Sequence, residues 1–161
     1  MEQSDGIQQA QEVRIMAAVI TKIARHSIEQ RLNAAEVGIG ALPFGVLHVI
    51  HRGKAETIKD LSEIMMLSPA TLVPAVDALE REGLALRRKD PNDRRRTPLA
   101  LTEKGHALLQ RVPAMAPDDH FAAAVLGLSA ADRSDLVRLL KAVIRRLPDG
   151  EAMVELMERD S

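Results

Sequence analysis

Residues 57–102, TIKDLSEIMMLSPATLVPAVDALEREGLALRRKDPNDRRRTPLALT, decide how the rest of this 161-residue chain is read. Thr57 followed three residues later by Asp60 has the form of a capping box. Ile58, Leu61 and Ile64/Met65 then recur at helical spacing, which predicts a short helix to about Met66. Ser68 before Pro69 is a second start, a hydroxyl cap with proline at the first helical position, where a missing N–H costs nothing. Leu72, Ala75/Val76 and Leu79 give that helix one apolar face, and Gly83 ends it. Two short helices joined by a tight turn make a helix-turn-helix. Two strand-like runs follow, Leu84–Lys89 and Thr97–Leu101, separated by DPNDRRR. Three consecutive arginines at a hairpin tip have no place in a packed core, so the pattern is a helix-turn-helix with a basic wing.

Over about residues 41–111 the chain resembles the MarR family of bacterial transcriptional regulators. The resemblance rests on LSPATLVPAVDALEREGL followed by DPNDRRRTPLALTEKG. The ordered combination of cap, Leu-Glu-x-x-Gly-Leu, Asp-Arg-Arg and Leu-Thr-x-x-Gly is far more specific than a helix-turn-helix alone. It implies a mainly α fold with a small β-hairpin wing, a winged helix-turn-helix domain flanked by dimerisation helices. On that reading residues 1–37 form an N-terminal dimerisation helix, 38–102 the winged domain, and 103–161 the C-terminal dimerisation helices and an acidic tail. It further implies a homodimer on a palindromic double-stranded operator, most simply a repressor.

The flanks agree with that layout. From Ile7 to about Val37, Val13, Met16/Ala17, Ile20, Ile23/Ala24, Ile28 and Leu32 keep a helical period, with residues 1–6 frayed and Gly38 and Gly40 closing the helix. A long amphipathic helix ahead of a winged helix needs a partner surface. Pro43 is expected to open a helix that runs to about His51 and ends near Gly53. Thr102 caps a helix carrying Leu108/Leu109 and Val112. Here the chain departs from its relatives, whose long dimerisation helix runs on, because Pro113 and Pro117 interrupt it. Proline inside a helix costs roughly 3 kcal/mol, so a break is expected between Val112 and Pro117, with the helix resuming at Asp118. Ser129 caps a last main helix with Leu136, Leu139/Leu140, Val143/Ile144 and Leu147 on one face, stopped by Pro148, Asp149 and Gly150. EAMVELMERD then reads as a short acidic amphipathic helix.

Composition excludes several classes. The absence of cysteine rules out disulfides and thiol-based redox sensing. No run approaches the ~18 apolar residues of a membrane helix, and MEQSDGIQQ is not a signal peptide, so a cytoplasmic protein with no membrane contact is expected. Two phenylalanines are the only aromatic residues besides histidine, so the core is aliphatic. The net charge of −1 argues against nucleic acid until its distribution is considered. Six basic and two acidic residues lie between Arg87 and Arg96, which leaves the rest of the chain at −5. A basic patch on an acidic body is the footprint of a phosphate-binding site. No nucleophile elbow, phosphate loop or acid/base pair is present, and neither an enzymatic activity nor a cofactor is expected.

The candidate DNA-binding residues are Ser68, Pro69, Ala70, Thr71, Val73 and Pro74 on the recognition helix, with Arg88, Arg94, Arg95 and Arg96 on the wing. Wing-tip arginines suit the narrow minor groove and phosphate forks. By the resemblance, Asp93 pairs with a wing arginine and braces the hairpin. The recognition helix offers no arginine, asparagine or glutamine to base edges in its first two turns, which leaves thymine-methyl contact and the hydroxyls of Ser68 and Thr71, with discrimination expected to lean on DNA shape and the wing. Pro74 either lies within a helix starting at Pro69, bending it, or starts the helix itself. The first is preferred because Val73 would be a poor cap. Phe44, His48 and His51 form a stripe that fits either ordinary interdomain packing or, by the resemblance, the effector pocket that relatives have between their DNA-binding and dimerisation parts. With no cysteine and no acid on that face, a metal is not expected there. The exposed apolar face at Ala70, Val73 and Pro74 also fits an alternative, a winged-helix protein–protein interaction module without operator binding.

Overall fold

The computed structural model describes residues 2–88, 97–116 and 119–158, in two compact units, Met1–Ala116 and Pro117–Ser161. The first unit holds α1 (Glu2–Ala34), α2 (Ala41–His51), α3 (Ile58–Met65), α4 (Pro69–Arg81), the strands β1 (Ala85–Arg87) and β2 (Leu99–Leu101), and α5 (Glu103–Arg111). Its core is aliphatic apart from one ring: Phe44, Leu47, Leu61, Leu72, Val76 and Leu79 are all essentially inaccessible.

Capping is as expected. The Thr57 hydroxyl accepts from Asp60 N and the Asp60 carboxylate accepts from Thr57 N, a complete capping box. The Ser68 hydroxyl accepts from Thr71 N at 3.2 Å, with Pro69 in the first position. Gly83, at φ +66°, closes α4 as Gly83 N donates to Glu80 O and Leu84 N to Leu79 O. Pro74 does not start this helix: one helix from Pro69 to Arg81 passes through it.

Other boundaries differ. α1 is helical from Glu2, not Ile7, since Gln8, Gln9, Ala10 and Glu12 favour helix and propagation is cheap once a nucleus exists. Its stop is not Gly38 or Gly40. Glu36 takes the left-handed conformation at φ 54°, while Glu36 N donates to Asn33 O and Val37 N to Leu32 O. α2 begins at Ala41 because Gly40 is extended and Pro43, inside the first turn, needs no N–H partner. The hairpin keeps three residues per strand, pairing Ala85 with Leu101 and Arg87 with Leu99. Beyond that register Pro98 accepts from Arg88 N at 2.7 Å but has no N–H to return.

α5 stops at Arg111. Val112 sits at φ −121°, ψ 88°, in the extended region that a following proline imposes. In the second unit α6 (His120–Leu126) starts two residues later than the expected Asp118, because Asp119 is the cap and accepts from Phe121 N and Ala122 N. α7 (Ala130–Ile144), capped by Ser129, has no buried residue. α8 (Gly150–Glu158) is tied to α7 by Lys141–Glu158 and Arg145–Glu151 ion pairs. Among the described residues no helix is long and apolar enough to cross a membrane.

Candidate nucleic-acid interface

Burying Leu72, Ala75, Val76 and Leu79 turns the other side of α4 outward. Ser68, Pro69, Ala70, Thr71, Val73, Pro74 and Asp77 are all exposed and share that outer side. Val73, at 38% exposure, presents only methyl groups. The hydroxyls of Ser68 and Thr71 lie 2.9 Å apart, so the two polar groups at the head of this surface already bond to each other. The turn before α4 is fixed by Ser62 Oγ donating to Leu67 O at 2.6 Å and by Met66 in the left-handed region at φ 51°.

A side chain that the sequence reading counted within the basic patch has another role. Arg87, on β1, forks between two carboxylates of α4: Nη2 donates to Asp77 Oδ1 at 2.9 Å and Nη1 to Glu80 Oε2. The Arg87 backbone N–H also donates to Glu80 Oε1 at 2.9 Å. Its side chain is 28% exposed. The hairpin root is thus clamped to the second half of α4, and the net positive charge of the patch is carried by the residues beyond Arg87. The available signal was Asp77 and Glu80 at i, i+3 on one helix face, followed past the glycine turn by an arginine. Arg88, next along, is exposed. Asp93, Arg94, Arg95 and Arg96 lie outside the described residues. Arg81, in the last turn of α4 with its side chain 70% exposed, is a further basic group on this helix that sequence reasoning passed over.

The histidine stripe is divided by packing. Phe44 is buried and meets His48 edge-on at 4.6 Å, whereas His51 is exposed and meets His106 of α5 at 5.3 Å. Among the described residues no group of three or more His, Asp or Glu is placed to hold a metal ion. His48 Nε2 is buried without a hydrogen-bond partner. Burial, then the charges of Arg52, His51 and Arg31, hold its pKa below the usual 6.5. A depressed histidine pKa means that the fold disfavours the proton. The associated stability is therefore full above pH 6.5 and is lost as pH falls below it. His48→Gln should accordingly narrow the gap between urea midpoints measured at pH 7.5 and pH 5.5. An undiminished gap would show that His48 does not carry this pH dependence.

A sequence model described as the MarR family matches residues 43–97. The chain is 33% identical over 117 residues to a putative transcriptional regulatory protein for the hcr operon of Thauera aromatica, covering 71% of this chain and 68% of that one. It is 29% identical over 129 residues to YkoM, an uncharacterised HTH-type transcriptional regulator of Bacillus subtilis, covering 80% of each. Among solved structures it is similar to a MarR transcriptional regulator from Methanosarcina mazei, at TM-score 0.72 and 20% identity over 84% of this chain and 95% of that one. It is likewise similar to a mutant Escherichia coli MarR complexed with operator DNA, at TM-score 0.73 and 22% identity over 83% and 94%. The chain belongs to the MarR family of winged-helix proteins, which are transcriptional regulators and not enzymes.

Proposed function

We propose that this regulator is a cytoplasmic homodimeric repressor that binds a palindromic operator and leaves it when a small-molecule effector binds. Two α4 helices enter successive major grooves and two wings the flanking minor grooves. The observation that carries this reading is the outward face of α4, where Ser68, Pro69, Ala70, Thr71, Val73 and Pro74 are all exposed. The likeness of its fold to a mutant Escherichia coli MarR that is complexed with operator DNA supports DNA binding. Arg88, Arg94, Arg95 and Arg96 supply mainly sequence-independent attraction, and Asp93 braces the wing. Phe44, His48 and His51 are the candidate effector contacts.

The test is a mobility shift with the DNA upstream of the protein's own gene across a salt series. The Arg94→Ala/Arg96→Ala double variant is expected to weaken specific and random DNA alike. It should also flatten the salt dependence by roughly 0.9 per lost phosphate contact. An absence of any shift at moderate salt would transfer weight to the interaction-module reading, which the exposed Val73 and Pro74 favour.

The dimer is assigned to regions 1–37 and 103–161. α1 exposes Ile7, Val13, Ile15, Met16, Val19, Ile20 and Ile23, and α7 exposes Leu136, Val137, Leu139, Leu140 and Val143. Full burial of each such side chain contributes roughly 1.5–3 kcal/mol, more than a lone chain would leave in water. Light scattering at micromolar concentration is expected to give twice the chain mass. A stable monomer would remove this part of the reading.

A further inference from the structure

A cavity of about 230 Å³ opens in the first unit where the ends of α1 and α4 meet α5, away from the outer face of α4. Four charged side chains ring it: Glu36 after α1, Glu82 at the end of α4, and Lys104 and Arg111 on α5. The two cations are anchored on helix C-terminal carbonyls. Lys104 Nζ donates to Glu82 O at 2.6 Å and Arg111 Nη2 to Ala35 O at 3.3 Å, the favoured place for positive charge on a helix. Each keeps further donors for a ligand. The carboxylates are not consumed by these cations. The ion pair that Glu82 makes is with Arg81 of its own helix, at 3.8 Å, and neither carboxylate comes within 4.0 Å of Lys104 or Arg111.

A Cβ at Gly38 would stand 3.3 Å from both Glu82 carboxylate oxygens, which places that carboxylate against the Gly38 backbone at the cavity wall. Glu36 is held at φ 54°, a left-handed conformation that favours glycine. Between the charges lie Val37, Leu84 and Leu108, with Leu84 and Leu108 buried.

We propose that this cavity binds a small zwitterion of the aliphatic α-amino-acid class. The ammonium sits between Glu36 and Glu82, the carboxylate faces Lys104 and Arg111, and the side chain lies on Val37, Leu84 and Leu108. Net charge decides against simpler ligands. The four side chains cancel, so an anion meets two carboxylates and two helix C-termini, while a bare cation meets Lys104 and Arg111. Volume sets the size, below the ~300–1,000 Å³ of pockets for drug-sized molecules. The occupied cavity would tie the end of α4 to the end of α1 and to α5, and so bias the pose of the recognition helix. That regulatory half rests on the operator-binding reading; the binding half does not.

The experiment is calorimetric titration of the full chain with L-leucine, beside isopentylamine, which lacks the carboxylate, and isocaproate, which lacks the ammonium. Leucine is expected to bind saturably and each truncated compound at least tenfold more weakly. Glu36→Gln and Arg111→Gln, both at exposed positions, should each weaken leucine by a similar factor, Glu36→Gln with the urea midpoint left in place. Either analogue binding as tightly as leucine, or leucine giving no saturable heat, would overturn the site. A mobility shift with and without leucine tests the second half. Operator binding unchanged by leucine would overturn the regulation alone, and a protein that binds leucine but no DNA would instead sink the operator-binding reading.

Discussion

Gly105→Ala is expected to cost about 3 kcal/mol or more of stability. A Cβ at this position would lie 2.1 Å from Leu84 O and 3.1 Å from Leu84 C, both backbone atoms that cannot rotate away. Relief requires α5 to lift from the start of β1. That lift strains Thr102 N→Leu84 O at 3.1 Å and Thr102 Oγ1→Gly83 O at 2.7 Å, and it opens the seat of Leu108 and Leu109. Overpacking alone costs typically ~1–3 kcal/mol, and the disturbed cap adds about 1 kcal/mol. Against total stabilities of roughly 5–15 kcal/mol that is a large fraction, read as a lower urea midpoint. Gly6→Ala is the control, because a Cβ there meets nothing within 4 Å and alanine favours the helix by roughly 0.8–1 kcal/mol. A Gly105→Ala protein as stable as the wild type would mean that α5 does not need this close approach.

Arg87→Ala is expected to lower operator affinity by roughly ten- to hundredfold, about 1.4–2.8 kcal/mol. The fork on Asp77 and Glu80 does two things at once. It fixes the hairpin root against α4, and it neutralises two carboxylates on a helix proposed to face phosphates. Its removal loosens the wing and exposes like charge to DNA. Arg87→Lys keeps the charge but loses the planar fork, and should fall between. Asp77→Asn added to Arg87→Ala should recover part of the affinity without recovering stability, which separates electrostatic masking from bracing. Wild-type affinity in Arg87→Ala would leave the clamp with no part in DNA binding.

How much was legible follows from the range of each interaction. Capping is decided within four residues, so Thr57/Asp60, Ser68/Pro69, Thr102 and Ser129 start helices where the sequence placed them. The apolar stripe of α4 also implied its opposite face, and Pro113 its break, because periodicity and a missing N–H are properties of the chain itself. The three-residue strands were overestimated because ladder length depends on what the partner strand can donate, and Pro98 cannot.

By itself, then, the sequence determined the helix starts, the winged helix-turn-helix order, the family and the exposed outer face of α4. Only the tertiary structure decided that Glu36 rather than a glycine closes α1, that Arg87 belongs to Asp77 and Glu80, and why Gly105 must be bare. The last two depend on atoms brought together from separate elements, Leu84 against Gly105 and Arg87 against Asp77, and on the packing that sets their separation to within an ångström.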